Sequence, residues 1–185
     1  MWTLTLASCV HPAPTEGMTP SPDPSATDWL GERDTAALIA ELTRGSTKPA
    51  ELRDAVLARI AALDHAGPEL SAVIATDPAA APSAASGPLF GLPILVKDNI
   101  DVAGFPTTVG SLALAGHRPA DDAFLVARLR EAGAVIIGKA SLSEWSNFRS
   151  DASSSGWSAV GGQVRNPHVL DRSPCGSSSG SAVAV

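Results

Sequence analysis

Leu38 and Leu42 stand four residues apart, and Leu52, Val56, Ile60 and Leu63 follow the 3.6-residue period of a helix that buries one face. Asp34 is the expected N-cap of the first of these helices, and Gly45 its end. Thr47 is the expected N-cap of the second, with Pro49 in its first turn and Gly67 and Pro68 as its stop. Two other stretches are patterned differently. Residues 94–96 and 135–137 are short unbroken apolar runs bounded by Gly, Pro or polar residues, the signature of buried strands. Between them Leu125, Leu129 and Ala132 predict a helix capped by Asp121 or Asp122 and ended by Gly133. Strand, helix and strand in that order predict a βαβ unit with parallel strands. Residues 77–88, rich in Ala, Pro and Ser, read as a surface loop.

Composition narrows the class. With 44% hydrophobic residues but only four Trp, four Phe and no Tyr, the core must be built from Leu, Val, Ile and close Ala/Gly packing, which suits an α/β protein. A formal charge of -6, with no run of Lys or Arg, gives no electrostatic footprint for nucleic acid and favours a small or neutral substrate. Cys9 and Cys175 are too far apart in sequence to form a disulfide framework or a CxxC knuckle. His11, His65, His117 and His168 lack the spacing of metal ligands, so neither a metal nor a cofactor is expected.

The chain divides into three parts on this reading. Residues 1–9 end in Leu-Ala-Ser-Cys, which resembles a bacterial lipobox, with Cys9 as the candidate lipidation site, although the basic n-region of a signal peptide is missing. A lipid there would attach an exported protein to a membrane; without it the protein is cytoplasmic. Residues 10–28 contain five prolines and read as a tether or a disordered terminus. Residues 29–185 carry the folded domain.

Two features could carry chemistry. Lys97 leaves a hydrophobic strand, where burial can hold an amine neutral and able to take a proton from a hydroxyl. Lys139 follows residues 135–137 in much the same way, and periodicity does not choose between the two; either could simply mark the end of a strand. The second feature is the loop at residues 176–181, GSSSGS, which runs into small apolar residues that could begin a helix. It is neither a P-loop nor a GxSxG elbow. A flexible linker is its bland alternative.

Three segments in order resemble the amidase signature family: residues 91–101, GLPILVKDNID; residues 138–145, GKASLSEW; and residues 173–182, SPCGSSSGSA. The runs at 144–149, 155–158 and 161–167 are most similar to the bacterial peptide amidase-like branch, and the resemblance covers the chain from about residue 30 onward. It implies an α/β fold with a mixed central sheet covered by helices, of which this chain is the N-terminal portion. It also implies an amide hydrolase using a Ser-cisSer-Lys triad, with a small-molecule or peptide amide as substrate. Lys97 falls on the catalytic lysine and Ser177 on the middle serine, in cis conformation, that relays the proton. Asp98 and Asn99 fall where they would position the lysine loop, and Ser178 and Ser181 where they would support the site by hydrogen bonds. Cys175 and Ser179 depart from the glycine commoner at their motif positions. The nucleophilic serine of the family lies roughly two dozen residues past the middle serine, so the resemblance places it outside these residues and implies that the 185-residue chain alone is inactive. A glutamine-dependent tRNA amidotransferase subunit, or a truncated protein with a binding role, are the alternatives.

Overall fold

The computed structural model describes residues 28–31 and 33–185, so Cys9, the lipobox-like stretch and nearly all of residues 10–28 lie outside the described residues. Helix α1 (Asp28–Gly31) is a single turn. Helix α2 (Thr35–Arg44) begins and ends as its sequence predicts. The Asp34 carboxylate accepts from the Ala37 N–H at 2.7 Å, and Gly45 closes the helix in the left-handed conformation. Helix α3 (Pro49–Leu63) starts one residue later than Thr47 suggests. Lys48 is its N-cap, with its N–H donating to the Glu51 carboxylate, while the Thr47 hydroxyl donates instead to Glu41.

Three strands form the main sheet: β1 (Val73–Thr76), β2 (Pro93–Lys97) and β3 (Val135–Ala140), in the order β1-β3-β2. Strands β2 and β3 pair in parallel through helix α4 (Phe124–Glu131), which is the βαβ unit expected from the sequence. Strand β1 joins the other edge of β3 antiparallel, making the sheet mixed. The cap of α4 differs from expectation. Ala123 occupies that position, because the Asp122 carboxylate accepts from the Ala103 N–H and from Arg130, both at 2.8 Å.

Helices cover both faces. On one, Val126 and Leu129 of α4 pack with Ile94, Val96, Val102, Phe105 and Ile136. On the other, Val56 and Ile60 of α3 pack with Leu95, Val135 and Ile137. Each fully buried Val, Leu or Ile contributes about 1.5–3 kcal/mol relative to exposure. Two short strands, β4 (Trp157–Ser158) and β5 (Gly162–Gln163), form a hairpin beside the sheet, and helix α5 (Ser179–Val183) adds Val183 to the α3 face.

One irregularity in the sheet positions the chemistry. Pro93 and Ile94 pair with Val135 and Ile136, but Leu95, Val96 and Lys97 pair with Gly138, Lys139 and Ala140. A one-residue slip at Ile137 therefore puts Lys139 level with Val96, on the α4 face. Lys97, alternating with Val96, points to the opposite face.

Candidate active site

Lys97 is the last residue of β2, and its side chain reaches the loop that precedes α5. Its Nζ lies 2.9 Å from the Ser177 hydroxyl, two residues 80 positions apart in the chain. The Gly176–Ser177 peptide bond is cis. Burial holds the Lys97 amine below the ordinary lysine range. A neutral amine against a hydroxyl can accept its proton, whereas an ammonium can only donate.

Close contacts with the ends of β1 and β3 seat this loop. The Gly180 N–H donates to the Ser141 carbonyl at 3.0 Å, and the Ser141 N–H donates to the Ala72 carbonyl at 2.8 Å. A Cβ on Gly180 would come within 2.2 Å of the Ala72 carbonyl oxygen and 2.5 Å of the Ser141 nitrogen, so only glycine lets α5 approach the sheet here. Gly176 is equally confined, with the Ser143, Ser179 and Ser155 hydroxyls at 2.5, 2.7 and 3.1 Å from where its Cβ would be.

Ser143 is a residue that the sequence pattern does not reveal. Fully buried just after β3, it donates its N–H to the Ser177 carbonyl at 3.0 Å, and its hydroxyl accepts from the Gly156 N–H at 2.8 Å. It thus ties the Ser177 loop to the segment leading into β4. Its part is played mainly by a backbone N–H, which every residue but proline carries, so side-chain pattern gives no signal for it. The two departures from glycine in the loop are linked: the Ser179 hydroxyl donates to the Cys175 carbonyl at 2.7 Å, while Cys175 sits at φ 62°, a left-handed conformation costing a non-glycine residue about 1–2 kcal/mol.

Of the other expected site residues, Asp98 is completely buried. It pairs with Lys139 at 3.2 Å and accepts from the Thr108 N–H at 3.1 Å and from the Thr108 hydroxyl. Asn99 is exposed in the turn after β2, and Ser178 is exposed at the N-terminus of α5. Ser181 is half-buried, and the side chains of Asn99, Ser178 and Ser181 make no hydrogen bond among the described residues. Lys97, Ser177 and Ser143 are therefore brought together, while Asp98 sits behind them with Lys139. Next to the Ser177 loop, Trp145, Ser146 and Asn147 form a left-handed run with φ 50°, 55° and 65°. Of these, Asn147 borders a cleft of about 350 Å³ that Glu144, Arg149 and Trp157 also line.

The family model described as Amidase matches residues 43–185. The chain belongs to the amidase family. The crystal structure of native peptide amidase from Stenotrophomonas maltophilia superposes on it with a TM-score of 0.80 and 55% sequence identity, covering 84% of this chain and 34% of that one. A probable amidase of Arabidopsis thaliana is 57% identical over 98 residues, 52% of this chain and 19% of its own length. A glutamyl-tRNA(Gln) amidotransferase subunit of Salinispora arenicola is 41% identical over 159 residues, 81% of this chain and 31% of its own length. The chain thus spans about a third or less of these amidase-family relatives, and the mixed sheet flanked by helices is the family's fold.

Proposed function

We propose that the protein is an amide hydrolase in which Lys97, acting through Ser177, is the base for a nucleophilic serine contributed by residues beyond Val185. The observation that supports this reading best is the 2.9 Å contact between Lys97 and Ser177. Neutral Lys97 takes the Ser177 proton as Ser177 takes that of the attacking serine, whose oxygen adds to the amide carbonyl. The proton returns along the same path to the departing nitrogen, so that ammonia or an amine leaves. Water then releases the acid from the acyl-enzyme. Asp98, buried next to the lysine in sequence, anchors the turn after β2, Asn99 shapes that turn, and Ser178 and Ser181 supply hydroxyls at the start of α5.

A peptide amide is the proposed substrate, supported by the likeness to peptide amidase. A lipid on Cys9 would place this activity at a membrane. A glutamine-dependent amidotransferase subunit is the second reading, favoured by the 41% identity across 81% of the chain and opposed by the absence of a Lys/Arg run. Product analysis separates them: with the reading frame continued past Val185, a C-terminally amidated peptide should release ammonia and the free acid faster than glutamine does. The 185-residue chain alone should release neither. Turnover confined to glutamine would select the second reading, and no hydrolysis in either form would leave a binding role.

A further inference from the structure

The Lys139 amine is fully buried with its hydrogen-bonding capacity filled. Its three N–H groups are directed at the Ile100 carbonyl, the Pro106 carbonyl and the Thr107 hydroxyl, each at 3.0 Å. Asp98 Oδ1 lies 3.2 Å from that amine and pairs with it, while Oδ2 is bound by Thr108. Both side chains have no exposed surface. The carboxylate adjoining Lys97 in sequence is thus committed on the α4 face, while Lys97 reaches Ser177 on the other.

We propose that Lys139 is a positioning residue for the amidase site: by pairing with Asp98 it fixes the turn after β2 and neutralises the carboxylate next to Lys97 in sequence, leaving the Lys97 amine without a counter-ion among the described residues. The inference rests on the reading of Lys97 as the base, because a base requires an uncompensated, neutral amine. Burial lowers Lys97 with no charged group opposing it; burial also lowers Lys139, but there Asp98 and then Asp101 oppose it. Other titratable groups around the turn are few. Helix α5 has none, the groove that Leu95 shares with α3 also holds Arg59, Asp64 at the end of α3, and His168, and Cys175 lies in the Ser177 loop.

Competitive acylation of the 185-residue chain, read by peptide mass spectrometry, measures the neutral fraction of Lys97 without any turnover. In folded Lys139→Met protein the Asp98 carboxylate, still bound by Thr108 but no longer neutralised by Lys139, should lower the Lys97 acylation rate at fixed pH by roughly tenfold, the effect of an uncompensated opposite charge nearby. The double variant Asp98→Asn with Lys139→Met removes both charges and should fold with a Lys97 rate within about twofold of the parent. An unchanged rate in folded Lys139→Met protein would overturn the proposal. Should that variant not fold, a Lys97 rate raised about tenfold in the double variant would do so, since Asp98 would then have been compensating Lys97 all along. These rates are independent of whether Lys97 serves catalysis, which Lys97→Ala turnover decides separately.

Discussion

Lys97 and Lys139 stand at the ends of adjacent parallel strands, each after an apolar run, yet their surroundings are opposite. Lys97 keeps part of its surface, meets one hydroxyl and forms no ion pair among the described residues. Lys139 has no exposed surface, three hydrogen-bond acceptors and a carboxylate at 3.2 Å. The difference originates in the one-residue slip between β2 and β3, which turns two equivalent positions to opposite faces of one sheet. A buried amine with every donor satisfied serves structure. One that is desolvated but unpaired is available for proton transfer.

Removing each amine should break the comparison most visibly. Lys139→Ala strands the Asp98 charge in the core and should cost about 3–5 kcal/mol, read as a lower urea midpoint, whereas Lys97→Ala should cost less than about 1 kcal/mol. Equal losses would mean that the two lysines do the same structural work. A smaller effect sharpens the Lys97 side. Ser143→Ala leaves the buried Gly156 N–H without its acceptor and should cost about 1–3 kcal/mol by the same measurement, while retaining the backbone bond to Ser177. No loss on that substitution would remove the Ser143 hydroxyl, though not its backbone N–H, from the support of the loop.

Much of this architecture is legible where local chemistry decides it. Asp34 and Gly45 bound α2 because a cap acts within one turn, and the apolar runs at 94–96 and 135–137 are strands because nothing polar interrupts them. Legibility fails where a side chain has a competing distant partner. Thr47 and Asp122 are good caps by type, but Glu41, Ala103 and Arg130 claim them. Strand β1 escapes notice because its four residues follow Glu69 and Ser71 in left-handed conformations that neither residue type announces. The slip at Ile137 is invisible as well, since register depends on the partner strand. For that reason residue spacing leaves Lys97 and Lys139 equivalent, and only the motif resemblance favours Lys97.

The chain has three lysines, Lys48, Lys97 and Lys139, which makes the contrast directly measurable. Exposed Lys48 serves as the control that the reagent is active. Acylation of the native chain across a pH series should modify Lys97 with a midpoint below the ordinary lysine range, because burial penalises its charged form; lowering the pH through that midpoint protonates the amine and suppresses the reaction. Lys139 should remain unmodified until denaturant unfolds the protein. Native-state labelling of Lys139 at a rate matching that of Lys97, or a Lys97 midpoint at or above the ordinary range, would contradict the assignment of one lysine to chemistry and the other to the core.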